Sequence, residues 1–123
     1  MTLFENTLKL RGFLTKDAEV PSSGGITEEA FAVLFLATMS GTWDVATNEW
    51  TPRITSHRIV CPGPWFCGLT RGMKQGDYVE VEGVLVIQRY RQSNFREPAY
   101  EVHATRIQRL DIPLVGVIEL YNG

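Results

Sequence analysis

The sequence predicts an all-β fold, a five-stranded Greek-key barrel with a short helical segment between strands 3 and 4. Strand-like segments recur along the chain, turn-forming Gly, Pro and Asn residues separate them, and only one stretch has a weakly helical composition. A chain of 123 residues is a usual size for one domain. We therefore expect the barrel to occupy residues 1–111, followed by a short C-terminal extension at residues 112–123.

The first two predicted strands differ in how much of each is buried. Thr7–Thr15 alternates leucines with Lys9 and Arg11, which is the pattern of a strand with one face in the core. Gly12 within it indicates a bulge or a bend, as strands need where a barrel curves. Ala30–Thr38 is short and almost entirely apolar, which predicts a strand buried on both faces.

A β-hairpin is predicted in Trp43–Val60. Ala46–Glu49 contains the turn-forming residues, and Ile54–Val60 is the returning strand. Trp43 and Trp50 flank the turn. Large rings beside a turn predict either a ligand on which they stack or a packing partner across the hairpin.

The remaining elements complete the barrel. Trp65–Lys74 is the weakly helical stretch, and its glycines limit it to a turn or two of helix. Tyr78–Ile87 is the clearest strand, with an expected bend at Gly83, and Tyr100–Leu110 alternates again as the fifth strand. Five strands with a helix between the third and fourth follow the order of the OB-fold, whose exposed strand face binds oligonucleotides or oligosaccharides.

Composition restricts the classes of function. The formal charge of -2, from 12 basic and 14 acidic residues, argues against indiscriminate binding to polyanions. A local basic face is still expected, because the stretch from Gln88 to Arg109 is rich in arginine and poor in acidic residues. No apolar run reaches the roughly 20 residues of a membrane span. The N-terminus lacks a secretion signal and the two cysteines fit a reducing compartment, so we expect a cytoplasmic protein without a membrane partner.

Neither a metal site nor an enzyme is predicted. His57, Cys61, Cys67 and His103 lack the spacing of paired metal ligands, so buried thiols and a structural histidine are the favoured interpretation. The chain has no Gly-rich phosphate-binding motif and no serine or cysteine in a recognisable nucleophile elbow. We therefore expect no cofactor and no catalysis.

Five segments resemble the bacterial single-stranded DNA-binding (SSB) proteins, in the same order and at similar spacing. The resemblance covers Asn6 to about Asp111. Its closest segment is KQGDYVEVEGVL, which is similar to a Lys-Gly-hydrophobic-Val-Glu-Gly-Leu signature of the family. The other segments are NTLKLRGFLTKDAEV, FLATMSGTWD, TSHRIV and EVHATRIQRLD.

The resemblance implies an OB-fold that binds single-stranded DNA without sequence preference and protects it in replication, repair and recombination. It also implies a homotetramer, with a dimer as the alternative, and a nucleoid-associated location. In the family, the positions that match Trp43 and Tyr90 stack on bases, and the histidine that matches His57 lies near a subunit contact. The family's acidic C-terminal tip is missing here, so the resemblance leaves contacts with replication and repair proteins open.

The candidate site combines aromatic and cationic side chains, because rings stack on any base and cations neutralise phosphates. Trp50 and Phe95 also have a structural interpretation, the first as a cross-strand pair and the second as a loop anchor. The candidate DNA-binding residues are Lys9, Arg11, Trp43, Trp50, Arg53, Arg89, Tyr90, Arg91, Phe95 and Arg96.

Two other functions stay open. Ser56 stands where the family has a tryptophan, Pro62 stands where a phenylalanine is common, and Val86 and Gln88 add no charge beside the fourth strand. These differences favour, as the alternative, an OB-fold assembly or interaction protein of the replication machinery with weakened DNA affinity. A module that binds structured RNA or an oligosaccharide is the third hypothesis.

Overall fold

Five strands close into a barrel, which confirms the predicted fold class. The structure is a computed structural model, and it describes residues 3–88 and 99–112. The strands are β1 (Leu8–Leu14), β2 (Phe31–Asp44), β3 (Glu49–Pro62), β4 (Tyr78–Gln88) and β5 (Ala99–Leu110), with helix α1 (Pro64–Thr70) and a single 3-10 turn (Ser23–Gly25) between them. Around the barrel the order is β1, β2, β3, β5 and β4, and only the β3–β5 pair is parallel.

Each strand contributes apolar side chains to the inside of the barrel. Leu34 and Leu36 of β2 are fully buried, on either side of the half-buried Phe35. Helix α1 packs against β2 and β3 and contributes Cys67. Removing such side chains from water stabilises the fold by about 1.5–3 kcal/mol for each large residue. The main core residues are Leu14, Leu34, Leu36, Ile59, Val79, Val81, Val102 and Ile107.

Two glycines lie where the strands change neighbour or register. β1 pairs with β4 through Phe13 but with β2 only at its last two residues. Near this change of partner the backbone of Gly12 lies against β2, and a Cβ atom there would be 1.9 Å from the carbonyl oxygen of Ala37. The β4–β5 register shifts between Glu82 and Gly83, which confirms the predicted bend at Gly83.

β2 and β3 are longer than the sequence predicts. β2 continues past its expected end at Thr38 to Asp44, and β3 begins at Glu49 rather than at Ile54. Only the barrel ends of β2 and β3 pair with β1 and β5. Among the described residues, the outer parts of β2 and β3 pair only with each other. We call residues 38–56 the ribbon. Both of its faces meet solvent, so it lacks the apolar alternation from which a half-buried strand is recognised.

Helix α1, seven residues long, is the turn or two of helix that the sequence predicts. It ends at Thr70, whereas the sequence allowed it to extend to Lys74. Gly72 has a φ of 98°, a left-handed conformation that no right-handed helix continues through. Within residues 3–88 and 99–112, no helix is long and apolar enough to cross a membrane.

Candidate nucleic-acid interface

The ribbon has two chemically different faces. The β2–β3 register is continuous from the pair of Asp44 and Glu49 to the pair of Phe31 and Pro62, so opposed residues share a face and successive residues alternate. The face that we call the aromatic face carries Met39, Gly41, Trp43, Trp50, Pro52, Ile54 and Ser56. The other, which we call the hydroxyl face, carries Thr38, Ser40, Thr42, Asp44, Glu49, Thr51, Arg53 and Thr55.

Trp43 and Trp50 are directly opposite each other on the aromatic face. Their side chains stay about half exposed, at 53% and 51%. The indole of Trp50 lies over Gly41, where an added Cβ atom would be 2.3 Å from the ring atom Cζ2. The missing side chain at Gly41 therefore leaves room for this ring. Together the two indoles offer an apolar aromatic surface on which flat ligands can stack.

A hydrogen-bonded turn at residues 45–48 keeps the two tryptophans opposite each other. The carboxylate of Asp44 accepts hydrogen bonds from the backbone N–H groups of Ala46, at 2.9 Å, and Thr47, at 3.4 Å. Asn48 takes a left-handed conformation with a φ of 58°, which asparagine tolerates better than most residues. The predicted turn is thus confirmed, and it begins one residue earlier than expected.

Lys9 and Arg11 lie on the outer face of β1, where they pair with acidic residues of β4. Arg11 Nη2 donates a hydrogen bond to Glu80 Oε2 at 2.9 Å, and Lys9 Nζ is 3.4 Å from carboxylate oxygens of both Glu80 and Glu82. The hydrogen bond from Arg11, with the nearby charge of Lys9, lowers the pKa of Glu80. Carboxylates therefore already neutralise both cations, and the structure does not bring these cations together with the ribbon tryptophans.

The other predicted cations and rings fall into two groups. Arg53 projects from the hydroxyl face, so the strand register separates it from the tryptophans of the aromatic face. It forms no ion pair with any residue of the described chain. The remaining candidates lie outside the described residues; they are Arg89, Tyr90, Arg91, Phe95 and Arg96.

The candidate residues predicted from the sequence do not include two residues of the aromatic face. Met39 and Ile54 are opposite each other, further from the turn than the tryptophans, and are 42% and 70% exposed. They extend the apolar surface from the tip of the ribbon toward the barrel. Counting in twos from Trp43 and Trp50 would have found them, because every second residue of a strand shares a face.

His57 lies where the ribbon joins the barrel, opposite Leu36. Its Nε2 atom is 2.9 Å from Thr38 Oγ1. Partial burial lowers the pKa of His57 below its ordinary value of 6.5. This hydrogen bond lies within one chain, so the implied position of His57 near a subunit contact stays a prediction.

The lowered pKa of His57 makes stability depend on pH. The unfolded chain takes up the proton more readily than the folded chain, so folding stability is complete above 6.5 and falls as the pH drops below it. We expect the free energy of unfolding to fall more in the parent than in a His57→Gln variant between about pH 7.5 and about pH 5.5. Urea denaturation at each pH measures both losses. Equal losses in the two proteins would contradict a titrating His57.

The residues considered for a metal site are scattered. Among the described residues, no group of three or more His, Cys, Asp or Glu side chains could hold a metal ion. His103 instead contacts Glu101 at 2.9 Å, and Arg58 pairs with the same carboxylate. Cys61 and Cys67 are free and buried. Burial, with a smaller effect of Cys67, raises the pKa of the Cys61 thiol to about 12, which makes it a poor nucleophile.

Comparison with solved structures reveals the same fold in proteins that bind single-stranded DNA. The Plasmodium falciparum SSB in complex with single-stranded DNA is 22% identical, with a TM-score of 0.74 over 90% of this chain and 99% of that chain. The wild-type single-stranded DNA-binding protein from Thermus aquaticus is 22% identical, with a TM-score of 0.71 over 87% of this chain. The match spans 50% of the Thermus chain.

A third solved structure extends the likeness at lower identity. The small single-stranded DNA-binding protein from Streptomyces coelicolor is 16% identical, with a TM-score of 0.62 over 88% of this chain and 95% of that chain. No protein-family model and no curated protein matches the sequence. The chain therefore has the OB-fold of the single-stranded DNA-binding proteins.

Proposed function

We propose that this protein binds single-stranded DNA without sequence preference, by stacking bases on the aromatic face of the ribbon. The observation that carries the proposal is the pair of half-exposed indoles, Trp43 and Trp50, opposite each other near the turn. We also propose that binding protects single strands during replication, repair and recombination. The fold shared with proteins that were solved as single-stranded DNA-binding proteins supports this assignment.

Stacking explains why sequence would not matter. Every base has a flat π-face, so an indole binds any base, and each base–aromatic stack contributes about 1–3 kcal/mol. Bases are available for stacking only where they are unpaired, which favours single strands over duplexes. The protein needs no catalytic group for this role, and we propose that it is a binding protein rather than an enzyme.

The other predicted site residues differ in whether carboxylates already pair with them. Lys9 and Arg11 serve mainly to hold β1 on β4, because both are paired with carboxylates. We retain Arg53 as a DNA-binding residue that acts from the side of the ribbon away from the stacked bases. We retain the predicted DNA-binding roles of the candidates outside the described residues, which are Arg89, Tyr90, Arg91, Phe95 and Arg96.

We propose that the chain assembles as a homotetramer, with a dimer as the alternative, and acts in the cytoplasm on the nucleoid. The support is the resemblance to the SSB family, in which the position of His57 lies near a subunit contact. Light scattering on the purified chain measures the mass directly. A mass of 13.9 kDa, that of one chain, at working concentration would contradict assembly.

An interaction protein of the replication machinery with weak DNA affinity is the second candidate. The observation in its favour is the neutralisation of Lys9 and Arg11 by Glu80 and Glu82, which removes two cations from any phosphate-binding surface. In this case the barrel would contact other proteins, and single strands would bind weakly at low salt.

A fluorescence titration tests the proposed function. Trp65→Phe removes the exposed tryptophan of α1 and keeps a ring against Phe66, so the remaining indole emission comes from Trp43 and Trp50. We expect poly-dT to quench this emission at low micromolar concentration or below, because bases cover both rings. Emission that is unchanged at low salt would exclude the proposed function and favour the second candidate.

A further inference from the structure

The odd-numbered residues of β2 direct their backbone groups away from β3. Val33 exchanges two backbone hydrogen bonds with Glu19, each at 2.9 Å, and the carbonyl oxygen of Phe35 accepts one from the N–H group of Thr15 at 2.9 Å. These partners lie on the side of β2 that is opposite to β3. The direction alternates along a strand and the β2–β3 register is continuous, so the odd-numbered residues of the ribbon face the same way.

In the ribbon this side of β2 is an open edge. Among the described residues, the outward N–H and C=O groups of Met39, Gly41 and Trp43 have no backbone partner. We call residues 39–43 the β2 edge. It contains no charged residue and no proline, the two devices that most often block an exposed edge. The β2 edge can therefore accept a further strand, whose backbone would pair with these groups.

The outer edge of β3 is not equivalent to the β2 edge. Its outward residues are those opposite the odd-numbered residues of β2, and Pro52, which is opposite Gly41, is one of them. Proline has no N–H group, so the middle of this edge lacks a hydrogen-bond donor. Arg53 beside it adds a charge. Addition of a strand is therefore favoured on the β2 edge alone.

We propose that two copies of this chain pair through their β2 edges, antiparallel about a two-fold axis at Gly41. In this register Trp43 of one copy lies opposite Met39 of the other, and a methionine sulfur beside an aromatic ring is a favourable contact. Ser40 of one copy lies opposite Thr42 of the other, and such hydroxyl pairs stabilise neighbouring strands. The β2 edge is thus complementary to a copy of itself.

The contact is short and needs no DNA. Three outward residues from each copy form roughly six backbone hydrogen bonds, and each adds little net stability, so the pairing is reversible. It ends at Thr38, which lies opposite Asp44 of the other copy, because Ala37 belongs to the part of β2 that pairs with β1. No like charges meet in this register. The pairing joins the aromatic faces of two ribbons into one four-stranded surface.

Lysines on the β2 edge test the contact by repulsion. Ser40→Lys with Thr42→Lys places like charges opposite each other twice in the paired copies. Sedimentation equilibrium measures the dissociation constant of the weakest assembly step, and we expect this variant to raise it by about tenfold or more. Thr51→Lys with Thr55→Lys adds the same charge to the hydroxyl face on β3, and we expect it to associate within about twofold of the parent.

A disulfide tests the register. A Ser40→Cys chain is mixed with a Thr42→Cys chain under mild oxidation, and intact mass distinguishes the mixed dimer from the two homodimers. We expect the mixed dimer to form fastest, because directly opposed residues come within the distance that a disulfide spans. The native thiols, Cys61 and Cys67, are buried, and we expect the parent to form no linked dimer.

Three outcomes would overturn edge pairing. They are association that the lysines on β2 do not weaken, association that the lysines on β3 weaken equally, and disulfides that form without preference for the mixed dimer. Each of these leaves DNA binding, and assembly through other surfaces, as proposed. A parent that stays monomeric at every concentration would also overturn the pairing, and would leave the β2 edge to an extended segment of another protein.

Discussion

Replacing Trp43 and Trp50 together by alanine is expected to weaken single-stranded DNA binding by about 30-fold or more. Each indole supplies one stack of about 1–3 kcal/mol, and about 1.4 kcal/mol corresponds to a tenfold change in the dissociation constant. Both side chains are half exposed on a solvated ribbon, so their removal should leave the barrel folded. Anisotropy of a labelled thymidine oligonucleotide measures the affinity, and circular dichroism monitors the fold.

The matched control removes charge instead of rings. Lys9→Gln with Arg11→Gln eliminates two cations that were candidates from the sequence but that pair with Glu80 and Glu82. We expect this variant to bind within about twofold of the parent, since carboxylates already pair with both cations. The reverse order of effects, a large loss from the charge variant and none from the tryptophan variant, would refute the proposed site.

Gly12→Ala is expected to cost about 3 kcal/mol of folding free energy, at the upper end of the usual cost of overpacking. The new Cβ atom would lie 1.9 Å from the carbonyl oxygen of Ala37, and a backbone atom in a paired strand cannot move aside as a flexible side chain can. Gly12 lies where β1 changes its partner from β4 to β2, so the strain would weaken the strand pairing that closes the barrel. Denaturation in urea measures the loss.

Gly68→Ala is the control for this prediction. Gly68 lies on the exposed side of α1, and an added Cβ atom would meet nothing within 4 Å. Alanine suits a helix better than glycine, so we expect this variant to gain about 0.5–1 kcal/mol. A Gly12→Ala protein as stable as the parent would contradict the close contact between β1 and β2.

The barrel was predictable because its strands bury one or both faces. Thr7–Thr15 and Tyr100–Leu110 alternate polar and apolar residues, and the run around Leu34 is apolar throughout. Burial of these strands is therefore visible as a local hydrophobic pattern in the sequence. The ribbon has no such hydrophobic pattern, because neither of its faces packs into the core. Its length therefore emerges only from the pairing of β2 with β3.

The candidate site was predictable in part, because two large aromatic residues beside a turn are a local feature of the sequence. Trp43 and Trp50 stand out beside a turn, and the structure keeps them exposed and opposite each other. Arg53 is three residues from Trp50 in the same strand, so the alternation of side chains along a strand would have placed it on the other face once β3 was known to begin at Glu49. The pairing of Lys9 with Glu82 joins residues far apart in the chain, so it depends on barrel closure.

Photocrosslinking tests most directly whether the ribbon is the surface that holds single-stranded DNA. A single strand that contains 5-iodouracil is irradiated with the protein, and the crosslinked tryptic peptides are identified by mass spectrometry. Trypsin cuts after Lys16, Arg53, Arg58 and Arg71, so one peptide, residues 17–53, contains both ribbon tryptophans and another, residues 59–71, contains Trp65. We expect crosslinks at Trp43 or Trp50 in the first peptide. Crosslinks confined to the second peptide, or to β1 and β5, would contradict the ribbon as the binding site.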